Sequence, residues 1–130
     1  MRRSILSLSL ILALALGGTV AAGAAGYDAP AVRQAMGRSV GLLGDSQKAL
    51  GAKNWKALGT AFKAFADIGA QMAGLVPPQG SPELWKSIWK DFSAAALAGQ
   101  EAAGKKDAGA AQEALDKLNL LMQQGHREFR

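Results

Sequence analysis

The chain reads as an all-α protein, an antiparallel up-down-up-down four-helix bundle, on three observations. Beyond residue 24 it is rich in Ala, Leu, Lys and Gln and poor in β-branched residues, which favours helix. Four segments carry apolar residues at helical spacing, and none alternates as a half-buried strand does. The connections are short, which makes consecutive helices antiparallel neighbours. Helices of this length are marginal alone in water, so folding must bury all four apolar stripes together.

The first helix is expected from about Pro30 to Leu50, with Pro30 in its first turn and Gly51 as its stop. Val32, Met36, Val40, Leu43 and Leu50 fall on one face, which Gln47 interrupts. Gly37, Gly41 and Gly44 form a second face. Each mid-helix Gly costs about 1 kcal/mol relative to Ala, so they point to close helix–helix approach or to a dimer contact.

Asn54 is a good N-cap for the second helix, which runs to about Gly74. Phe62, Phe65, Gly69 and Met72 make its inner face, with Trp55 and Leu58 at its start. Leu75-Val76-Pro77-Pro78-Gln79-Gly80 breaks the pattern and is a loop. The third helix opens on Ser81 as N-cap, Pro82 and Glu83. Leu84, Trp85, Ile88, Phe92 and Ala95 face inward, with Trp89 at the edge of the stripe. Gly104-Lys105-Lys106-Asp107 is a turn with Asp107 as N-cap, and the fourth helix runs from about Ala108 to the C-terminus. Leu115, Leu118, Met122 and His126 share its inner face, with Phe129 close by.

The N-terminus has the pattern of a cleaved secretory signal rather than of a fold element. Arg2 and Arg3 form a positive n-region, Ile5 to Leu16 is apolar, and Ala22-Gly23-Ala24 fits a cleavage site. The apolar stretch is short of the about 20 residues a membrane span needs. Residues 1–24 are therefore expected to be removed, leaving residues 25–130 as one exported, periplasmic domain with no stable membrane anchor. The formal charge of +5 falls by two with Arg2 and Arg3, to +3. No Lys/Arg run exceeds two residues, which argues against nucleic acid as a partner. With no cysteine there is no disulfide framework.

In such a bundle the start of the first helix lies beside the end of the fourth. Met36 lies roughly 9 Å from one end and His126 roughly 6 Å from the other, at 1.5 Å per residue, so the two are expected at one level. Phe65, Ile68 and Met72 of the second helix and Leu84, Trp85 and Ile88 of the third are expected there too. One imidazole and one thioether in an apolar, aromatic pocket form a known axial ligand pair for haem iron. Each residue also has an ordinary reading: a helix-end histidine in solvent, a methionine filling the core, aromatic core anchors. Arg127 and Arg130 are candidate partners for haem propionates, or last-turn cations opposing the helix dipole. Arg33 and Gln34 line an outer rim or a solvated surface.

The chain carries no enzyme signature. It has no second histidine for a His-based zinc site, no Glu-x-x-His pair for a di-iron carboxylate bundle, and no recognisable Ser/His/Asp set.

His126-Arg127-Glu128-Phe129-Arg130, Pro82-Glu83-Leu84-Trp85 with Trp89 and Phe92-Ser93-Ala94-Ala95-Ala96, and Arg33-Gln34 together resemble the cytochrome c-prime family over most of the mature chain. The resemblance implies a periplasmic four-helix bundle binding haem, with His126 as the proximal ligand. Met122 and Gly125 stand where that family has the two cysteines of Cys-x-x-Cys-His, so thioether attachment is out of reach. The layout is also similar to the soluble periplasmic b-type cytochromes of the four-helix-bundle class, which use a Met on helix one and a His in a His-x-x-Tyr-Arg tail. Carried over, that resemblance makes Met36 and His126 the two axial ligands of a noncovalent haem, with Met122 where the b-type tail has an Arg.

Three functions follow as expectations. The first is a haem-binding electron carrier that meets an unidentified redox partner protein, with Phe65, Met72, Trp85, Ile88, Met122 and Arg130 around the haem. The second keeps haem on His126 alone and binds small gases. The third is a haem-free bundle that docks a protein or serves a structural role, as a monomer or homodimer.

Overall fold

The structure, a computed structural model, describes residues 27–129. Residues 1–24, the segment expected to be a signal peptide, and Arg130 lie outside the described residues. Among the described residues four helices form a four-helix bundle: α1 (Ala29–Gly51), α2 (Trp55–Ala73), α3 (Pro82–Gly104) and α4 (Ala108–Glu128). No strand occurs among the described residues, and none of their helices is long and apolar enough to cross a membrane.

Each helix starts on a side chain that takes one of its free N–H groups. Asp28, Asn54, Ser81 and Asp107 accept from Ala31, Ala57, Leu84 and Ala110 at 3.0 to 3.2 Å. Asp28 sets the start of α1 one residue before Pro30. α1 and α3 end in the same way. Lys53 and Lys106 take left-handed backbone at φ 54° and 57°. The next N–H then reaches back five residues, Asn54 to the Ala49 carbonyl at 2.8 Å and Asp107 to that of Ala102 at 2.9 Å. Gly51 is therefore the last helical residue rather than the stop: the chain reverses two residues later, where Lys53 hands over directly to the next N-cap.

The core centres on α2 and α3, which meet most closely of all helix pairs, whereas α1 and α4 meet least closely of the four neighbouring pairs. Among the described residues no Cα of α1 lies within 8 Å of one in α3, and none of α2 within 8 Å of one in α4. The close α2–α3 approach rests on two glycines. A Cβ on Gly69 would stand 2.9 Å from the Trp89 carbonyl oxygen and the Ser93 nitrogen, and one on Gly99 would overlap the Phe62 ring. The Ser93 hydroxyl donates to the Ala66 carbonyl at 3.0 Å across the same interface. Close approach is thus not the role of Gly37, Gly41 and Gly44 in α1, where a Cβ would meet nothing within 4 Å.

Two other expectations are corrected. The buried face of α1 is Val32, Ala35, Ser39, Ser46 and Ala49, while Val40 is 65 % exposed and Gln47 is outside. Small residues let α1 lie on its neighbours, while Met36 and Val40 stand on the side of α4 and Leu42 on the side of α2. Trp89 is fully within the core rather than at its edge, because α3 packs against both α2 and α4 and so buries a wide arc. Five rings run through the core edge to face: Phe65, Phe92, Trp89, Trp85 and Phe129, with neighbouring centroids 5.0 to 5.7 Å apart.

Candidate functional groove between α1 and α4

The loose α1–α4 seam opens into a groove of about 700 Å³. Its walls are largely apolar. α1 contributes Val32, Met36 and Val40, and α4 contributes Met122 and His126. Arg33 and Arg127, one from each helix, also line it, and neither forms an ion pair among the described residues. A groove of this size is in the range of small-molecule and cofactor sites.

Met36 is half-buried and His126 is exposed. The expectation that His126 shares the inner face of α4 is therefore corrected. Gly125 and Phe129 are the core-facing positions of that last turn, and His126 stands one residue round the helix, on the groove wall. Met36 and His126 nonetheless belong to one site, because both also line a second, smaller cavity of about 180 Å³ behind the groove. Tyr27, Pro78, Trp85, Trp89 and Phe129 also line that cavity.

The last turn of α4 is held from the core side. Phe129 is buried, its ring meets Trp85 at 5.0 Å and 86°, and its N–H donates to the Gly125 carbonyl at 3.0 Å. Across from it, Gly80 takes φ +83°, and a Cβ there would crowd the Phe129 ring at 3.2 Å. The α2–α3 loop therefore closes over Phe129, and the turn carrying His126 is fixed although Gly125 lies within it. Trp85 is itself tied down: its indole N–H donates to the Met72 carbonyl at 2.7 Å.

Of the other residues expected around a ligand, Met122 lines the groove and Trp85 the small cavity. Phe65, Met72 and Ile88 line neither, because they are buried where α2 and α3 pack together, behind Trp85 and Trp89. Ile68 is buried there too. Sequence reasoning missed Val40, Gly37, Asn119 and Gln123 as groove residues. Val40, Asn119 and Gln123 lie three or four positions from Met36, Met122 or His126, and Gly37 lies four from Arg33, so helical spacing would have found them once the site was placed on the seam.

The donor set can be tested against haem. Among the described residues no group of three or more His, Cys, Asp or Glu could hold a bare metal ion. One imidazole and one thioether suit an iron that brings four equatorial nitrogens with it. Two guanidiniums at an apolar groove suit a flat apolar molecule with carboxylates on its edge. A Cβ at Gly125 would meet nothing within 4 Å, so the wall beside His126 leaves room. The residues present fit the group. No family model, no curated protein and no solved structure matches this chain.

Proposed function

We propose that the protein is an exported, periplasmic cytochrome-like electron carrier that binds haem noncovalently in the α1–α4 groove. The observation that carries this reading is that Met36 and His126, the chain's one histidine, line the same apolar groove from two different helices. His126 and Met36 would hold the haem iron, a donor pair that would raise its reduction potential. Val32, Val40 and Met122 exclude water, and Arg33 and Arg127 hold the propionate carboxylates by charge-assisted hydrogen bonds. Bound haem supplies a one-electron couple; the redox partner is another protein. Export rests on Arg2, Arg3, Ile5 to Leu16 and Ala22-Gly23-Ala24.

The helices alternate in direction in this reading. Trp85 meets Met72, Ser93 meets Ala66 and Gly99 meets Phe62, so numbers rise along α3 as they fall along α2. The first half of α1, Val32 to Val40, shares the groove with the second half of α4, Asn119 to Arg127, which supports opposing directions for that pair.

A hemin titration tests the function. One equivalent should bind with a saturable Soret shift that His126→Ala abolishes; absence of saturable binding would end the proposal. One observation favours a second reading, a haem-free bundle that docks a protein. The Gly37, Gly41 and Gly44 face of α1 is open, and Val40 beside it is exposed. A folded protein indifferent to hemin would support that reading instead.

A further inference from the structure

The α1–α4 groove holds a third neutral donor besides the Met36 thioether and the His126 imidazole. Met122 lines it too, four residues before His126 on α4. Side chains four apart on a helix are neighbours, about 5–6 Å between their Cβ atoms. Met36 lines the groove from α1, and it shares both the groove and the smaller cavity with His126. Two thioethers and one imidazole, from two helices, thus border one apolar space. Their exposure is graded: Met122 is 9 % exposed, Met36 is half-buried and His126 is exposed. An ion can meet His126 first and shed its water as it moves inward.

The chemistry of the donors selects the ion. Among the described residues no three His, Cys, Asp or Glu stand together to hold a zinc-like or calcium-like ion. Thioether sulfur is soft and uncharged, and it suits Cu(I) rather than the hard dications that take carboxylate and carbonyl oxygen. No carboxylate lines the groove, whereas Arg33 and Arg127 do. Their charge disfavours a dication more than an ion of single charge. Cu(I) has a closed d shell and imposes no strict geometry, and the rotatable bonds of each methionine let its sulfur adjust.

We propose that Met36, Met122 and His126 form a binding site for one Cu(I) ion in the protein without haem. The site does not depend on haem binding, and because it uses Met36 and His126 the two ligands exclude each other.

The experiment is an anaerobic titration of the mature, haem-free protein against Cu(I) held by bicinchoninate, whose colour reports the copper withdrawn. Methionine methyl signals are followed in carbon–proton correlation spectra of the same samples. One equivalent of copper should leave the chelator. The methyl signals of Met36 and Met122 should shift, while that of the fully buried Met72 stays in place. Met36→Leu and Met122→Leu conserve volume and should each weaken binding at least about tenfold, the loss that even outer partners of a metal site cause. Copper left with the chelator, or taken up without movement of the Met122 methyl signal, would overturn the proposal. The wild-type spectra decide alone should a variant fail to fold. A separate hemin titration keeps the two readings apart: hemin bound and copper refused contradicts the copper site alone, and the reverse contradicts haem alone.

Discussion

Phe129 meets Trp85 edge to face, with ring centroids 5.0 Å apart at 86°, and this contact ties the histidine-bearing end of α4 to the start of α3. It joins a segment that a frayed C-terminus would leave loose to a tryptophan locked by its own hydrogen bond to Met72. His126 is thereby held at the groove by a neighbour that faces the core.

Phe129→Ala should therefore act at two levels. Removing a buried phenyl ring costs about 3–5 kcal/mol in a core and toward the lower end at a helix terminus, where the site can relax. Urea denaturation reads that loss. Hemin affinity should fall as well, because the turn carrying His126 loses its anchor. Unchanged affinity would show that the turn is held by something else.

The glycines divide into two groups of opposite sign. Gly99→Ala pushes a methyl into the Phe62 ring and should destabilise by about 1–3 kcal/mol, the usual cost of overpacking. Gly41→Ala and Gly44→Ala place a methyl in open space on exposed helix and should each stabilise by up to about 1 kcal/mol. Denaturant midpoints of the three variants check both signs. Oligomeric state measured on the α1 variants tests the docking reading: a change in self-association would favour it.

Met36 and His126 should have separable effects on a haem complex. His126→Ala should abolish saturable hemin binding. Met36→Ala should keep it and convert a six-coordinate low-spin spectrum to a five-coordinate one. An unchanged spectrum in Met36→Ala would remove Met36 from the iron and favour the gas-binding alternative with His126 alone.

The absence of cysteine gives a gain-of-function test. The double substitution Met122→Cys/Gly125→Cys completes Cys-x-x-Cys-His, the c-type attachment pattern. A Cβ at Gly125 meets nothing within 4 Å, and Met122 already lines the groove. Coexpressed with a c-type maturation system, the variant should retain haem through acid–acetone extraction, whereas the wild type should lose it. Haem lost equally from both would contradict a haem placed against this turn.

Much of the architecture was legible in the sequence because it is written in local signals. Asn54, Ser81 and Asp107 are caps readable from residue type alone, and the stripes of α2 and α4 are large apolar side chains at helical spacing. α1 was misread for a physical reason. Its buried face is built of Ala35, Ser39, Ser46 and Ala49, which hydrophobicity ranks low, while Met36 and Val40 mark the seam rather than the core. The site was legible as a pair, Met36 with His126, but not as a surface. Whether α1 and α4 close or part depends on packing by all four helices, which no single segment encodes. The buried Trp89 indole N–H, which has no acceptor among the described residues, was beyond reach for the same reason: a Trp in a helical stripe signals burial, and only the fold shows whether its donor is paired.

The most direct measurement is a hemin titration of the mature, signal-free protein, read by visible spectroscopy in both oxidation states, with His126→Ala in parallel. A one-to-one Soret shift that the substitution abolishes is the predicted result. A protein that is folded and helical without haem and shows no saturable shift would contradict the account.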